Sequence, residues 1–547
     1  MSTSTPSDNI EREVARRRTF AIISHPDAGK TTLTEKMLLY GGAIHLAGSV
    51  KSRRAAKHAV SDWMEMEKER GISVTSSVLQ FPYHNRAINL LDTPGHADFS
   101  EDTYRTLAAA DSAVMLMDVA KGVEAQTLKL FKVCAMRKIP IFTFVNKMDR
   151  FGHQPLELME EIEEVLGIRA CPINWPIGMG NEFKGVYDRQ NEEIIIFDSD
   201  GSHGESIVDE TRLKLDDPEA EQRLGSRFYD KLLEEVELLD IAGDPFDLER
   251  VHDGDLTPMF FGSAITNFGV RPFMDAFVDM APSPDQAKEH IANPTDPDFS
   301  GFVFKIQANM NPEHRDRLAF VRITSGTFER DMQAKLLRTD RQIKLAYPQQ
   351  MMASNREMAD RAYAGDIVGL YDPGRFRIGD TLYTGDPPEQ EKDIPRFSPE
   401  HFAVVEIQDP LRRKQLTKGL DQLSEEGTIQ VFRQPTKGSL DAVVGAVGIL
   451  QFEVLKFRLK KEYNVQVSLR RLDFQHARWV DSEVDLDALN RLDFLMVLED
   501  RDGLPMLLLR NNWALNYTQQ NYPDLRLLPN PPGTPGLEQL HGQTHGF

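Results

Sequence analysis

Apolar runs alternate with amphipathic segments over the first half of the chain. Runs with few polar interruptions predict strands buried on both faces of a mainly parallel sheet, and they lie at 19–24, 87–91, 112–117, 139–145 and 258–261. Helix-type segments separate these runs, which predicts an α/β domain over residues 1–285. An acidic, turn-rich stretch at about 151–257 interrupts the alternation and is interpreted as an insertion.

The pattern of apolar positions changes twice after a Pro-rich linker near residue 283. Residues 298–392 carry strand-type runs and repeated Gly-Asp turns, which predict a small antiparallel β-barrel. Residues 398–530 show the order β-α-β-β-α-β, which predicts a ferredoxin-like α+β domain. The Pro-, Gly- and His-rich residues 531–547 are predicted to form a disordered tail. The expected fold class is therefore a multidomain α/β, β-barrel and α+β protein.

Composition narrows the class of protein and its compartment. The chain has 547 residues and a formal net charge of −21, which argues against a general nucleic-acid coat but leaves local RNA contact open. Its two cysteines, Cys134 and Cys171, lie within or beside apolar sequence and are expected to be buried thiols. The N-terminus lacks the apolar core of a signal peptide, and no apolar run approaches the ~20 residues of a membrane span. We therefore expect a cytoplasmic protein without membrane association.

A candidate phosphate-binding loop directly follows the first predicted strand. It comprises Ser24, His25, Pro26, Asp27, Ala28, Gly29, Lys30 and Thr31, and Thr32 continues into a helix-type segment. In such a loop, backbone N–H groups and a helix N-terminus bind phosphate oxygens. Lys30 would reach the β- and γ-phosphates, and the Thr31 hydroxyl would coordinate Mg²⁺. Ser24 stands where the usual pattern has Gly, and the alternative is an ordinary strand–turn–helix connection.

A second candidate segment follows the second predicted strand and comprises Asp92, Thr93, Pro94, Gly95 and His96. Asp92 would hold Mg²⁺ through water, the Gly95 N–H would approach the γ-phosphate, and His96 would orient the attacking water. Ser73 lies between this segment and the phosphate loop, and its hydroxyl would close onto Mg²⁺ when the γ-phosphate is present. Taken singly, the segment at 92–96 could be a turn and the one around Ser73 a solvated charged loop.

Two further segments would contact the base. Asn146, Lys147, Met148 and Asp149 follow the strand at 139–145, and Gly262, Ser263 and Ala264 follow the last strand. The Asp149 carboxylate can accept hydrogen bonds from N1–H and N2–H₂ of guanine, a donor pair that adenine lacks. Asn146 would brace the base, the Lys147 stem would cover its ring, and the segment at 262–264 would contact guanine O6. Taken alone, the segment at 146–149 could be a polar cap at the end of a strand. The occurrence of all these segments in this order predicts a GTP site.

The segments at 27–31, 70–73, 92–96 and 146–149 resemble those of the translational GTPases. This resemblance implies a P-loop GTPase domain at 1–285 and a translation-factor β-barrel at 298–392. It also implies ribosome-stimulated hydrolysis of GTP to GDP and phosphate, with Mg²⁺ as cofactor. Lys30, Gly95 and His96 would then be catalytic, and Thr31, Ser73 and Asp92 would hold the metal.

Residues 62–67 and 304–310 resemble members of that family that act in translation termination. The implied role is to promote departure of class-one release factors from the ribosome after peptide release, and we expect a monomer. Because the chain ends soon after its third predicted domain, a translocase-like elongation factor is not expected. The sequence contains no Gly-Gly-Gln, so peptidyl-tRNA hydrolysis is not supported as its own reaction.

Two alternatives stay open on the residues alone. One is a nucleotide-gated ribosome-binding protein whose hydrolysis is incidental to factor release, and the other is a shortened elongation or ribosome-protection factor. Ribosome contact would have to come from local basic clusters, each of which is interpreted first as a solvated helix face; they lie at 16–18, 51–54, 412–414 and 456–461.

Overall fold

A computed structural model describes most of the chain. The described residues are 6–44, 67, 73–198, 206–287, 292–308, 317–352, 355–389, 397–435, 442–482 and 486–532. The sequence segments 51–54, 62–66, 70–72 and 309–310, and the predicted tail from residue 533 onward, lie outside the described residues. Within the described ranges, no helix is long and apolar enough to cross a bilayer.

The described elements up to residue 280 form a layered α/β domain. Its strands are β1 (Arg17–Ser24), β2 (Ser77–Tyr83), β3 (Arg86–Asp92), β4 (Ser112–Asp118), β5 (Ile141–Asn146), β6 (Arg169–Pro172), β7 (Asn174–Ile177), β8 (Gly185–Asp188), β9 (Glu193–Asp198), β10 (Asp209–Lys214) and β11 (Leu256–Phe261). Its helices are α1 (Pro6–Ala15), α2 (Lys30–Tyr40), α3 (Ser100–Leu107), α4 (Ala125–Met136), α5 (Pro155–Leu166), α6 (Pro218–Leu224), α7 (Ser226–Ala242), α8 (Leu248–Asp253) and α9 (Val270–Met280). The central sheet has the strand order β2-β3-β1-β4-β5-β11-β6, and only β2 pairs antiparallel within it.

Alternate residues of β1 enter two different hydrophobic cores, which explains its uninterrupted apolar run. Phe20 and Ile22 pack into the core that includes Phe277 of α9, while Ala21 and Ile23 pack into the core that includes Leu130 of α4. Because helices cover both faces, the carboxyl ends of the parallel strands provide the open edge at which a ligand can bind.

The segment at about 151–257, interpreted from the sequence as an insertion, contains elements of the central sheet and a second sheet. Helix α5 buries Leu158 and Ile162 in the main core, and β6 pairs parallel with β11 at the sheet edge. A separate antiparallel sheet of β7 to β10 then follows, with α6 and α7 beside it. The acidic outer face of α5 explains the difference, because a solvated helix face resembles an inserted segment when composition is the only guide.

Residues 298–389 form the predicted antiparallel barrel-type domain. Its strands are β12 (Ser300–Ala308), β13 (Arg317–Ser325), β14 (Thr327–Glu329), β15 (Gln333–Leu336), β16 (Arg341–Lys344), β17 (Gln349–Met352), β18 (Asn355–Met358), β19 (Arg361–Tyr363), β20 (Ile367–Tyr371) and β21 (Thr381–Tyr383). Val14 of α1 is fully buried in the same core as Val303 and Ile323, so the N-terminal helix packs on this domain.

The C-terminal part contains two units with the β-α-β-β-α-β order, where the sequence predicted one. The first unit (401–472) comprises β22 (His401–Ile407), α10 (Arg413–Glu425), β23 (Gln430–Phe432), β24 (Val443–Ala446), α11 (Ile449–Tyr463) and β25 (Val467–Leu472). The second unit (476–528) comprises β26 (His476–Val480), α12 (Leu486–Leu489), β27 (Leu495–Glu499), β28 (Pro505–Leu509), α13 (Asn512–Asn521) and β29 (Leu527–Leu528). The strand orders, β23-β24-β22-β25 and β27-β28-β26-β29, are both ferredoxin-like. The second unit escaped detection because α12 and β29 are too short for a periodic signal.

Buried polar contacts join the α/β domain to the barrel. The Arg322 guanidinium donates to both Asp111 carboxylate oxygens at 2.7 and 2.8 Å, and both side chains are almost fully buried. The Thr19 hydroxyl donates to the Gly365 carbonyl at 2.6 Å. One backbone pairing between Met352 and Gln80 also connects β17 with β2.

Candidate nucleotide-binding site

The loop after β1 has the backbone geometry of a phosphate-binding loop. Gly29 has a φ of 100° and directly precedes α2, whose first residue is Lys30. A Cβ at Gly29 would lie 2.4 Å from Asn146 Nδ2, so glycine is required by both conformation and space. The N-terminus of α2 therefore faces the open edge of the sheet, where its N–H groups favour an anion.

A cavity of about 330 Å³ lies against this loop and collects most of the residues selected from the sequence. The selected residues that line it are Ser24, His25, Pro26, Asp27, Gly29, Lys30, Thr31, Thr32, Ser73, Gly95, His96, Asn146, Lys147, Asp149 and Ala264. The other selected residues lie behind the wall or beside it: Ala28, Asp92, Thr93, Pro94, Met148, Gly262 and Ser263. Their positions indicate support of the wall rather than direct contact, as for Thr93, which donates to the Ile22 carbonyl at 2.7 Å.

The phosphate end of the cavity contains a buried cation and an orphan hydroxyl. Lys30 Nζ donates to Asp92 Oδ1 at 2.5 Å, and both residues are buried. Ser24 is 1% exposed, and its Oγ has no hydrogen-bond partner among the described residues. A buried hydroxyl without a partner costs free energy, which a phosphate oxygen at this point would recover. These groups fit a polyphosphate ligand.

The residues proposed to hold Mg²⁺ fit a hard cation. Thr31 and Ser73 line the same cavity, and the Asp92 carboxylate lies behind them against Lys30. Mg²⁺ in nucleotide sites is bound by one or two protein oxygens together with phosphate oxygens and waters, so two hydroxyls and one carboxylate are sufficient.

Gly95 and His96 line the cavity beside the phosphate loop. A Cβ on Gly95 would lie 3.4 Å from the Pro26 nitrogen, so the two backbones approach each other closely. The His96 ring precedes a 3₁₀ turn, Ala97–Phe99, and its Nδ1 accepts a hydrogen bond from the Asp98 N–H at 3.2 Å.

At the base end, side chains of the loop after β5 are fixed by several hydrogen bonds. Asn146 donates to the Ala28 carbonyl and accepts from the Ala264 N–H, both at 2.8 Å. The Ser263 hydroxyl donates to Asp149 Oδ1 at 2.6 Å. These contacts hold the Asp149 carboxylate at the cavity wall, where it can accept hydrogen bonds from a ligand's N–H groups.

The structure adds residues that sequence analysis did not select. Arg150 and Ile265 line the cavity, and Asp118 accepts from Lys147 Nζ at 2.7 Å. Burial would raise the pKa of Asp118, but the Lys147 ammonium holds it below the usual value. The position of Asp118 at the end of β4 was the available signal, since a strand was predicted to end at residue 117.

His25 contacts charged groups beside the cavity. Its Nε2 lies 3.0 Å from Lys121 Nζ and also meets the Glu124 carboxylate. Burial lowers the pKa of His25, although Glu124 opposes the shift, so the ring is expected to be neutral near pH 7.

Three family models match consecutive parts of the chain. Residues 15–283 match the elongation factor Tu GTP binding domain, residues 298–385 match elongation factor G domain 2, and residues 392–519 match the class II release factor RF3, C-terminal domain. Together with the cavity and its phosphate loop, these matches define a translational GTPase, and they confirm the predicted fold class. The predicted domain limits, which differ slightly from the matched ranges, stay predictions.

Similarity over the full length identifies the family. A peptide chain release factor 3 from Symbiobacterium thermophilum is 56% identical over 95% of this chain and 98% of its own length. One from Trichodesmium erythraeum is 52% identical over 97% of this chain and 98% of its own length. A crystal structure of a Thermus thermophilus protein, 22% identical, shares the fold with a TM-score of 0.68 over 85% of this chain and 70% of that one. The chain belongs to the peptide chain release factor 3 family.

Proposed function

We propose that this protein is a ribosome-stimulated GTPase of translation termination that promotes dissociation of class-one release factors after peptide release. The observation that carries the proposal is a single cavity with Lys30, Ser73 and His96 at one end and Asp149 at the other. The reaction is hydrolysis of GTP to GDP and phosphate. The names of the relatives support the place of this reaction in termination.

The residues of the cavity have different roles in hydrolysis. Lys30 and the N–H groups at the start of α2 stabilise charge on the phosphates, and the Gly95 N–H faces the γ-phosphate. His96 orients the attacking water. Thr31, Ser73 and Asp92 would hold Mg²⁺, which neutralises charge on the β- and γ-phosphates when it is bound.

Guanine selection is assigned to Asp149. Its carboxylate accepts from N1–H and N2–H₂, and adenine would leave it unsatisfied. Ser263 fixes the carboxylate from behind, and the segment at 262–264, of which Ala264 lines the cavity, is assigned to guanine O6. Asn146 stabilises the loop by joining it to the phosphate loop.

The partners are proposed to be the ribosome and, through it, the class-one release factors. The protein is proposed to act as a cytoplasmic monomer, with the domains at 1–285, 298–392 and 398–530 all available for ribosome contact. On an acidic chain, Arg413 and Lys414 at the start of α10 and Lys456, Lys460 and Lys461 on α11 provide an exposed basic surface. Such a surface favours contact with RNA phosphates.

The decisive experiment uses ribosomes that have completed peptide release and carry a fluorescent class-one factor. GTP together with this protein should accelerate loss of the label, and ribosomes should stimulate phosphate production. A non-hydrolysable analogue distinguishes hydrolysis-driven release from binding-driven release. Activity only on elongating ribosomes, with none on the post-release complex, would contradict the proposal and favour an elongation or ribosome-protection factor.

Replacement of His96 tests the catalytic assignment. His96→Ala should keep GTP affinity within about twofold and lower ribosome-stimulated turnover by about 100-fold or more, because a water-orienting group acts in the transition state. Equilibrium binding and single-turnover hydrolysis measure the two effects separately. Unchanged stimulated turnover would remove His96 from the mechanism.

A further inference from the structure

The turn that follows His96 contacts the C-terminal part of the protein. Asp98, the middle residue of the Ala97–Phe99 turn, accepts a hydrogen bond at Oδ2 from the Leu450 N–H at 2.7 Å. Leu450 is the second residue of α11 in the first ferredoxin-like unit. The α/β domain and this unit are therefore joined directly beside the cavity.

The start of α11 is shaped for this contact. The residue before α11 is Gly448, which has no side chain to cap the helix. The Asp98 carboxylate takes the place of a cap by satisfying an N–H of the first turn, where the helix dipole also favours negative charge. A Cβ on Gly448 would lie 2.1 Å from Asp98 Cγ, so only glycine permits this approach.

Apolar contacts extend the joint to the segment that carries Ser73. Val74 and Phe99 are buried together with Val454 of α11, and Leu450 and Phe457 pack beside them. Val74 directly follows Ser73, and Phe99 follows Asp98. One face of α11 therefore touches both segments that hold residues assigned to the γ-phosphate.

Asp98 also holds the His96 ring. Its N–H donates to His96 Nδ1 at 3.2 Å, and its Oδ1 lies 3.3 Å from the same nitrogen. The orientation of the ring thus depends on the placement of the Ala97–Phe99 turn.

We propose that Asp98 is a positioning residue: docking of α11 on its carboxylate fixes the ring of His96 for hydrolysis. The rate of hydrolysis then depends on the place of the first ferredoxin-like unit, which a bound ribosome can contact. This inference rests on the role given to His96 in the proposed function. It assigns no direct contact with nucleotide to Asp98.

The test breaks the same contact from its two sides. Asp98→Ala removes the acceptor of the hydrogen bond. Gly448→Ala, at a position about 350 residues further along the chain, blocks the approach of α11. Each should lower the single-turnover rate of ribosome-stimulated hydrolysis by about tenfold with GTP affinity unchanged, because a displaced group slows chemistry without weakening ground-state binding. The double variant should be no slower than either single variant, since both remove one interaction.

Two further variants serve as controls. Asp98→Asn keeps an oxygen that can accept from the Leu450 N–H, and it should recover most of the rate. Asp421→Ala removes an exposed carboxylate from α10 and should leave the rate unchanged. Additive losses in the double variant, a normal rate in Gly448→Ala, or faster hydrolysis in either single variant would overturn the proposal.

A spectroscopic measurement separates this inference from the proposed function. In protein with ¹⁵N-labelled histidine, the His96 signal, identified by its loss in His96→Gln, should be that of a ring held in one hydrogen-bonded state. Gly448→Ala should convert it to the averaged signal of a free ring, and an unchanged signal would refute the link to α11. If the parent protein shows no ribosome-stimulated turnover, the proposed function fails; if His96→Ala keeps full stimulated turnover, the role given to His96 fails. If His96→Ala is inactive while Asp98→Ala and Gly448→Ala are normal, only the positioning role fails.

Discussion

Ser24 and Asp149 mark the two ends of the cavity, and their surroundings are opposite. Asp149 has a neighbour that fixes its carboxylate, because Ser263 donates to it at 2.6 Å. Ser24 is buried at the start of the phosphate loop with an Oγ that finds no partner among the described residues. The fixed Asp149 carboxylate is suited to a specificity contact, and the Ser24 hydroxyl is suited to form its hydrogen bond with a ligand.

Asp149→Asn should change which base is accepted. The amide presents a donor where guanine also presents donors, so GTP affinity should fall by about 100-fold, while xanthosine triphosphate, with an oxygen in place of N2–H₂, should gain. Competition between the two nucleotides at equilibrium measures the change. Continued rejection of xanthosine triphosphate by the variant would contradict the assignment of Asp149.

Ser24→Ala should raise the stability of the nucleotide-free protein and weaken its binding of GTP. Without nucleotide, removal of an unsatisfied buried hydroxyl should raise the free energy of unfolding by about 1 kcal/mol. With GTP, loss of a hydroxyl that meets a phosphate oxygen should weaken binding by about three- to tenfold. Denaturant unfolding and nucleotide titration provide the two values. Equal GTP affinity in variant and parent would exclude the hydroxyl from phosphate binding.

The sequence predicted the residues that line the cavity better than the contacts that position them. Lys30 and Asp149 were identifiable because each follows a buried strand whose carboxyl end reaches the same edge. Asp118 and Asp98 were missed because their roles depend on partners brought close by folding, such as Leu450. Pattern analysis gives the faces of strands and helices, but it gives no distances between domains.

Among the elements, α3 has an unusual place because it lies between the cavity and the barrel. Asp102 of α3 accepts from the Ser76 N–H at 2.5 Å and lies 3.7 Å from Lys305 Nζ of β12. Lys305 also donates to the Ser76 hydroxyl at 2.9 Å. The Lys305 ammonium, almost without solvent contact, thus joins the residue before β2, helix α3 and strand β12.

Asp102→Asn should destabilise the protein in a pH-dependent way. Burial would raise the pKa of Asp102, but Lys305 and the Ser76 N–H hold it below the usual value. The loss on substitution should be about 2–3 kcal/mol and constant above pH ~5, because the carboxyl group of the parent is then ionised in both folded and unfolded states.

Below pH ~4 the unfolded carboxyl group binds a proton first, so the advantage of the parent protein should shrink as pH falls through the folded-state pKa. Unfolding by urea between pH 3 and 7 measures this difference. If the difference in free energy of unfolding between parent and variant stays constant down to pH 3, the contact does not depend on the charge of Asp102.

In the whole molecule, buried ion pairs distinguish the interface between the α/β domain and the barrel from the interface with the first ferredoxin-like unit. Arg322 and Asp111 join the barrel to the α/β domain with 1% and 0% side-chain exposure. The first ferredoxin-like unit meets the α/β domain through the start and one face of α11. Arg105 of the α/β domain also donates to the Glu426 carbonyl at 3.3 Å. The former interface is held by a buried ion pair, so breaking it should be costly.

Arg322→Ala should lower the free energy of unfolding by about 3–5 kcal/mol, because it leaves the Asp111 carboxylate buried without its partner. Differential scanning calorimetry should then resolve separate transitions for the α/β domain and the barrel. Arg338→Ala is the matched control, since its partner Asp380 lies in the same barrel and Arg338 is 37% exposed. A single cooperative transition at unchanged temperature in Arg322→Ala would contradict this assignment.

The hydrogen bond between Asp98 and α11 also implies a sequence of folding steps during synthesis of the chain. The two residues that form it are 352 positions apart, and the acceptor is translated first. N-terminal domains generally fold before later segments emerge, so α11 leaves the exit tunnel toward a carboxylate that is already in place. An isolated fragment that begins after residue 397 would lack this acceptor, and its helix would start with a frayed first turn.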